Sequence, residues 1–279
     1  MNERPAVAPA SLSECHQTLA KDHDNMRETI QPIDTTVYTT LDWQVRNLLK
    51  TAGLGIARGP VGIGKSYSIN RLHDELEAEG VKVILATCAP STEGSYQAFV
   101  KTILAERNVY HTGIVDCMEA FETLIMGNPH GYIPQPSILI VDECQGMRAP
   151  VLTMLRQLWD IGDPARLNGK GTAFAMLLCG NNTFLNRSGI VREMDLHPLR
   201  DRLTMKVRLD APDTAELDSI AQSFCPHDAN ALAELRKYGR KRSNVRAIAQ
   251  AYRMAGTLSG AAPVSAQNVR DAIKMMEGV

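Results

Sequence analysis

The chain has 279 residues, of which 44% are hydrophobic and 22% are charged. This length is enough for one large core or for a medium-sized domain with a smaller companion, and we expect two packed units. Thirty Lys and Arg residues against 31 Asp and Glu leave a formal net charge of −1. The overall charge therefore indicates neither nucleic-acid nor membrane binding, and any DNA contact must come from a local cluster of charge.

The cysteines and the first residues predict a cytoplasmic protein. The six cysteines are scattered without CxxC pairs, which is typical of buried thiols in a reducing compartment. The N-terminal stretch MNERPAVAPASLSECHQ lacks the basic start and the apolar run of a signal peptide. No segment approaches the roughly 18 apolar residues that a membrane span needs. We therefore expect a cytoplasmic location and no membrane partner.

The order of apolar segments predicts an α/β fold. Residues 1–40 are rich in Pro, Thr and Asp, and we expect an extension there, with room for a short helix. Strand-like runs then alternate with helical patterns, and these runs are LGIA, VKVILAT, ILIVDE, AFAMLLC and MKVRL. Such alternation is typical of a parallel sheet covered by helices. The predicted organisation is an α/β domain over residues 41–210 and a small helical domain over residues 211–279.

A glycine-rich loop lies between the first strand and the helix after it. Its sequence GPVGIGKS, residues 59–66, matches GxxxxGK[ST]. Glycines permit positive φ angles, so backbone N–H groups can surround a phosphate, and the helix start adds a positive dipole. Lys65 is expected to reach the β- and γ-phosphates, and the Ser66 hydroxyl to hold Mg²⁺. The predicted nucleotide contacts in the loop are Gly59, Pro60, Val61, Gly62, Ile63, Gly64, Lys65 and Ser66. The alternative is a chance glycine-rich turn, but the flanking strand and helix favour phosphate binding.

Two carboxylates follow the apolar run ILIV. The end of a buried strand is a rigid place to hold acids. Asp142 is expected to bind Mg²⁺ directly or through water, and Glu143 to polarise the attacking water in phosphoryl transfer. The alternative is an ordinary strand followed by a solvated acidic turn.

A further polar strand end occurs in AMLLCGNN, which finishes at Asn181 and Asn182. If this strand lies beside ILIVDE, the side chain of Asn181 could orient the water near the γ-phosphate. Gly-Asn-Asn is equally good turn chemistry. Both interpretations therefore stay open for Asn181.

The order of these motifs resembles that of AAA+ ATPases: a phosphate loop, an acidic strand end, a polar sensor strand and a C-terminal helical lid. The resemblance covers residues 41–279. It implies a AAA+ P-loop NTPase core with a five-stranded parallel sheet, ATP and Mg²⁺ as cofactors, and hydrolysis of ATP to ADP and phosphate. It also implies a homo-oligomer in which the nucleotide sits between subunits.

The same resemblance assigns three arginines. The segment HPLRDRLTMKVRL looks like the region that supplies an arginine to the neighbouring subunit, and it offers Arg200 and Arg202. A guanidinium there would stabilise charge on the transferred phosphate. The segment KRSNVRAIAQAY resembles the second sensor of the family, and Arg246 would contact the γ-phosphate from the lid. The alternatives are surface ion pairs for Arg200 and Arg202 and a solvated helix arginine for Arg246.

Within AAA+ proteins, the segments GNNTFLNR and PLRDRL and the compact size look most like the transposition ATPases of the phage Mu B, TnsC and TniB group. This resemblance implies a sequence-independent binder of double-stranded DNA that forms rings or helical filaments. It would recruit a transposase to target DNA and disassemble on ATP hydrolysis. The Mu B protein carries a helix-turn-helix domain ahead of its ATPase, and the roughly 40 residues here are too few for one.

DNA would then have to contact the ATPase body through Lys and Arg side chains. The sequence offers these candidates: Lys101, Arg107, Arg156, Arg166 and Lys170. For each of them, ordinary solvated charge is the alternative.

Three other functions remain open. A secretion or protein-remodelling ATPase similar to the ExeA group would bind a protein partner and show no nucleotide-dependent affinity for DNA. A helicase loader would bind a helicase and prefer single strands. A nucleotide-gated scaffold would barely hydrolyse ATP, so that Glu143→Gln would leave its cycle unchanged.

Overall fold

The computed structural model describes residues 32–110, 113–126, 136–161, 174–184, 193–224, 228–260 and 262–278. Contacts within the chain divide it into two compact units. The first comprises Thr35–Asp213 together with Ser243–Arg246, and the second includes Thr214–Arg242 and Ala247–Val279. The division after Asp213 lies three residues beyond the boundary expected from the sequence.

The first unit is built on a parallel sheet. Its strands are β1 (Leu54–Arg58), β2 (Lys82–Thr87), β3 (Ser137–Asp142), β4 (Ala175–Gly180) and β5 (Leu203–Arg208). They form one five-stranded sheet in the order β2-β3-β4-β1-β5, and every neighbouring pair is parallel. The predicted α/β class and the five-stranded parallel sheet are therefore confirmed. Because the strands run in one direction, the carboxyl ends of β1, β3 and β4 meet at one edge, where ligands bind in such folds.

The two strands that follow the motifs are fully buried. Every residue of β3 and of β4 is buried, as expected of parallel strands covered on both faces. The strand predicted as ILIVDE ends one residue early, at Asp142, because Glu143 has φ 58° and ψ 32° and turns the chain out of the sheet. The edge strand β5 alternates between half-buried and exposed residues.

Helices cover both faces of the sheet. In the first unit these are α1 (Thr36–Thr51), α2 (Lys65–Ala78), α3 (Tyr96–Glu106), α4 (Ile114–Met126), α5 (Ala149–Ile161) and α6 (Glu193–Arg202). Successive residues of β3 enter opposite cores: Leu139 packs with Phe99 of α3 and Phe121 of α4, whereas Ile140 packs with Leu72 of α2. This packing on two sides fixes the strand ends that carry the candidate site.

The second unit is helical. Its helices are α7 (Thr214–Phe224), α8 (Ala229–Arg242), α9 (Val245–Ser259) and α10 (Ala266–Glu277). The first two residues of α9, Val245 and Arg246, are counted with the first unit. α10 begins with a capping box, in which Ser265 and Asn268 exchange side-chain and backbone hydrogen bonds. Within the described ranges, no helix is long and apolar enough to cross a membrane.

Candidate nucleotide site

The glycine-rich loop connects β1 to α2 through two residues in left-handed conformations. Gly62 has φ 82° and Gly64 has φ 99°, and Gly64 is the N-cap of α2. Glycine adopts such angles without steric cost. The N–H of Gly59 donates to the carbonyl of Gly180 at the end of β4, at 3.2 Å. The loop is therefore shaped by glycine and fixed to the sheet at its first residue.

Lys65 is held at the mouth of this loop. The side chain is 8% exposed, and its ammonium donates to the carbonyl oxygens of Gly59 at 3.0 Å and Pro60 at 2.6 Å. These bonds offset the cost of burying the charge. Val61 is 58% exposed, whereas Ile63 is buried in the core and anchors the loop. A cation and a backbone able to surround an anion thus lie together.

The Ser66 hydroxyl and the Asp142 carboxylate meet directly. Ser66 Oγ donates to Asp142 Oδ2 at 2.6 Å, and the N–H of Glu143 donates to Asp142 Oδ1 at 2.8 Å. Asp142 is 4% exposed. A hydroxyl beside a carboxylate is a hard oxygen set of the kind that Mg²⁺ binds together with water and phosphate oxygens. Among the side chains that the structure describes, no group of three or more His, Cys, Asp and Glu could hold a metal ion. The oxygens of Ser66 and Asp142 are of the kind that Mg²⁺ prefers, and the pair fits that ion.

Glu143 lies immediately after β3 and contacts a residue that the sequence analysis did not single out. Gln145, in the 3₁₀ turn Cys144–Gly146, donates from Nε2 to Glu143 Oε2. The other end of the same amide, Oε1, accepts from the backbone N–H of Asn181 at 3.0 Å. The only sequence signal for Gln145 is its position two residues after Glu143.

Asn181 directly follows β4, which pairs in parallel with β3, so the strands are adjacent, which was the condition set for its role in the sequence analysis. Its side-chain oxygen accepts from the backbone N–H of Thr183 at 2.8 Å and from the Thr183 hydroxyl at 2.5 Å. The residue therefore shapes the turn after β4, which is one of the two interpretations left open. The second interpretation, that Asn181 orients the water near the γ-phosphate, would use the amide nitrogen as the hydrogen-bond donor.

Two thiols border the carboxylates. Cys144 and Cys179 are buried and free. Burial raises the pKa of Cys144, and burial together with the charge of Asp142 raises the pKa of Cys179. Both thiols are therefore protonated near neutral pH and are poor nucleophiles.

The two candidate arginines lie in the last turn of α6. Arg202 Nε donates to Asp160 Oδ1 at 3.0 Å, and the side chain of Asp160 is only 6% exposed. The same carboxylate accepts from Arg156 one turn earlier on α5. Arg200 is half-buried. Arg202 is thus bound within its own subunit by an acid on α5.

The segment Ser243–Arg246 belongs to the first unit and contacts the loop. The N–H of Arg246 donates to the carbonyl of Gly62 at 3.1 Å, and Asn244 Nδ2 donates to the carbonyl of Val61 at 3.4 Å. A Cβ built on Gly62 would lie 2.4 Å from side-chain atoms of Asn244. The Arg246 side chain is exposed. The backbone of the predicted sensor therefore lies against the phosphate loop.

The candidate DNA contacts differ in their surroundings. Lys101 is exposed, and Arg107 is half-buried and donates to the carbonyl of Val83 at 3.2 Å. Arg156 is paired with Asp160, with 15% of its side chain exposed, so most of it is not available to DNA. Arg166 and Lys170 lie outside the described residues.

Solved structures share this fold. The ORC2 protein of Aeropyrum pernix matches with a TM-score of 0.60 and 19% identity, over 86% of this chain and 67% of that one. Cdc6p of Pyrobaculum aerophilum matches with a TM-score of 0.62 and 13% identity, over 98% and 69%. Domain III of the Thermotoga maritima replication initiation protein DnaA matches with a TM-score of 0.56 and 14% identity, over 88% and 98%. At these identities the likeness shows the fold alone. No curated protein sequence matches the chain significantly.

Comparison with family models gives the family. The model described as AAA domain matches residues 46–187, which is just over half of the 279 residues. The matched range contains the glycine-rich loop, the acidic end of β3 and the polar end of β4. The chain therefore belongs to the AAA domain family.

Proposed function

We propose that this protein binds ATP with Mg²⁺ and hydrolyses it to ADP and phosphate. The observation that carries the proposal is the convergence of Lys65, Ser66 and Asp142 at the carboxyl edge of the sheet. There the buried Asp142 carboxylate accepts from the Ser66 hydroxyl at 2.6 Å. The loop N–H groups and the start of α2 would surround the phosphates, and Lys65 would exchange its carbonyl partners for phosphate oxygens.

Ser66 and Asp142 would hold the magnesium ion. Mg²⁺ would neutralise charge on the β- and γ-phosphates. The protein contributes two oxygens at a site already shaped by the sheet, since Asp142 is 4% exposed and fixed by the backbone N–H of Glu143.

Glu143 would accept the proton of the attacking water. The water oxygen attacks the γ-phosphorus, the bond from that phosphorus to the β–γ bridging oxygen breaks, and the proton moves to the Glu143 carboxylate. Asn181, at the end of the adjacent strand, would donate from its amide nitrogen to the water or to the γ-phosphate.

The active form would be a homo-oligomer with nucleotide between subunits. We propose that Arg200 acts on the neighbouring subunit and that Arg202 stabilises its own subunit through the buried Asp160. Arg246 would sense the γ-phosphate, since its backbone already contacts the loop at Gly62.

The wider role that we propose is nucleotide-dependent binding of double-stranded DNA, with recruitment of a transposase to target DNA in the cytoplasm. Support comes from the segments that resemble the Mu B, TnsC and TniB group. ATP would favour assembly on DNA, and hydrolysis would favour disassembly. Lys101 is the exposed candidate for phosphate contact on the described surface.

A second candidate is loading of a helicase during replication. It is favoured by the likeness to domain III of a replication initiation protein, which covers 88% of this chain. A helicase loader would prefer single-stranded DNA and would bind a helicase in place of a transposase.

The two roles are separated by DNA binding in defined nucleotide states. Labelled duplex and single-stranded DNA of equal length would be titrated with protein plus ATP, a slowly hydrolysed analogue, ADP or no nucleotide. Each titration would be run at two salt concentrations, because phosphate contacts give an affinity that falls steeply with salt.

Tight, salt-sensitive binding of duplex DNA with ATP or the analogue only would support the transposition role. Preference for the single strand would favour the helicase loader. Absence of affinity for either DNA in every nucleotide state would contradict both and leave only the ATPase proposal.

A further inference from the structure

We propose that Gln145 positions Glu143 and connects it to the phosphate loop. The inference rests on the proposed ATPase function, in which Glu143 accepts the proton of water. Gln145 would act through Glu143 and would not itself touch the substrate.

The connection is a chain of hydrogen bonds. The Gly59 N–H donates to the Gly180 carbonyl at 3.2 Å. The N–H of the same Gly180–Asn181 peptide group donates to Gln145 Oε1 at 3.0 Å. Gln145 Nε2 then donates to Glu143 Oε2. One peptide group and one side-chain amide thus span the distance from the loop to the carboxylate.

All three bonds point in the same direction. Each group accepts at its carbonyl oxygen and donates from its nitrogen, and the last acceptor is an ionisable carboxylate. Bonds in such a series polarise one another, and a charged acceptor strengthens the final bond. A change in the position of Gly59 would therefore alter the hydrogen bond that Glu143 accepts from Gln145.

The backbone at Gly180 and at Glu143 allows Gln145 to make this contact. A Cβ on Gly180 would lie 3.1 Å from Gln145 Oε1 and 2.9 Å from the Cβ of Phe184, so glycine leaves the room that the amide occupies. Glu143 is held by its φ of 58° and by its N–H bond to Asp142 at 2.8 Å. With the backbone fixed, the contact with Gln145 restricts the direction of the carboxylate.

Removal of the amide should lower turnover without weakening nucleotide binding. Gln145→Met keeps the length of the side chain and loses both hydrogen bonds. We expect kcat to fall about 10- to 100-fold, by analogy with residues that orient a metal ligand, with KM and nucleotide Kd within about twofold of wild type. Gln145→Glu, which can still accept from Asn181 but cannot donate to Glu143, should lower kcat as well. Gln97→Met, on α3, is the matched control and should leave kcat unchanged.

The test is a double-mutant cycle on kcat with Glu143→Gln, Gln145→Met and the double variant. If Gln145 acts through Glu143, Gln145→Met has no further effect in the Glu143→Gln background. Equal losses in both backgrounds, or a wild-type kcat for Gln145→Met, would overturn the inference. The comparison of wild type with Glu143→Gln reports on the proposed function separately.

Nuclear magnetic resonance of the nucleotide-free protein tests the hydrogen bond without ATP turnover. It also separates loss of this bond from a general folding defect. In ¹⁵N-labelled, nucleotide-free protein, the backbone amide signal of Asn181 should shift upfield in Gln145→Met, because its acceptor is lost. It should shift less in Gln145→Glu, which keeps an acceptor. An Asn181 signal unchanged in both variants would show that the amide contact does not exist in solution.

Discussion

At the phosphate loop, single residues are restricted by backbone angle and by space at once. Gly62 has φ 82°, and a Cβ there would lie 2.4 Å from Asn244. Gly80, in the turn between α2 and β2, has φ 83°, and a Cβ there would meet nothing within 4 Å. A comparison of substitutions at Gly62 and Gly80 therefore separates the cost of backbone strain from the cost of close packing.

We expect Gly80→Ala to lower the free energy of unfolding by about 1–2 kcal/mol, the cost of an L-residue in the left-handed region. Gly62→Ala should cost about 1–3 kcal/mol more, because the new methyl must displace Asn244. Chemical denaturation of both variants measures the difference. Equal losses for the two variants would show that Asn244 does not pack on Gly62.

The sequence named most of the proposed site because the phosphate loop and the acidic strand end are local patterns. Lys65, Ser66 and Asp142 are read from spacing alone, and the structure brings them together. Gln145 could not be found in this way, since its proposed role depends on β3 and β4 being neighbours. Nor could the pairing of Arg202 with Asp160, which joins residues on two helices 42 positions apart.

Between elements, α5 and α6 are joined at Asp160, a buried carboxylate that accepts from Arg156 and Arg202. Asp160→Asn removes the charge that both guanidinium groups face. We expect a loss of about 1–3 kcal/mol in the free energy of unfolding, as for buried groups whose partner is removed. The control is Asp218→Asn in the exposed pair with Arg240, which should cost less than about 1 kcal/mol. A smaller loss of stability for Asp160→Asn than for Asp218→Asn would show that Asp160 does not hold α5 and α6 together.

The contact between α1 and α2 predicts a pH dependence. Burial, and then the hydrogen bond that Tyr38 donates to Glu75, raise the pKa of Tyr38 from 10.0 to about 12. The neutral phenol is thus favoured in the folded state. Its contribution to stability is complete below pH 10.0 and is lost as the pH rises to about 12.

Wild type should therefore lose stability more steeply than Tyr38→Phe over that pH range, because phenylalanine does not titrate. The free energy of unfolding of both proteins, measured at several pH values, gives the two slopes. Other groups titrate equally in the two proteins and cancel in the difference. Parallel curves would show that Tyr38 ionises normally in the folded state.

The alternation of apolar runs predicted the strands, but not all element ends. α1 begins at Thr36, inside the segment predicted as an extension, where Thr35 caps it by accepting from the Tyr38 N–H at 3.1 Å. β3 ends at Asp142 because Glu143 adopts a left-handed conformation. These differences are set by single backbone angles and caps, to which an apolar pattern is insensitive.

For the whole molecule, the proposed oligomer predicts complementation between inactive subunits. Lys65→Ala is expected to lose nucleotide binding but keeps Arg200, whereas Arg200→Ala is expected to keep nucleotide binding but lacks the arginine. Randomly mixed in equal amounts, they should form complete sites at about a quarter of their interfaces. ATP turnover of the mixture should exceed that of either variant alone.

The matched mixture replaces Arg200→Ala with Arg202→Ala. We expect a smaller gain in ATP turnover from this mixture, because Arg202 stabilises its own subunit through Asp160. Recovery with Arg202→Ala and none with Arg200→Ala would reverse the assignment of the two arginines.

The central claim is a Mg-ATP hydrolysing site formed by Lys65, Ser66, Asp142 and Glu143. It is tested most directly by equilibrium ATP binding and steady-state turnover of wild type, Lys65→Ala and Glu143→Gln under the same conditions. We predict that Lys65→Ala loses ATP binding, and that Glu143→Gln binds ATP as wild type does with turnover lowered at least about 100-fold. Equal binding and turnover by all three proteins would contradict the claim.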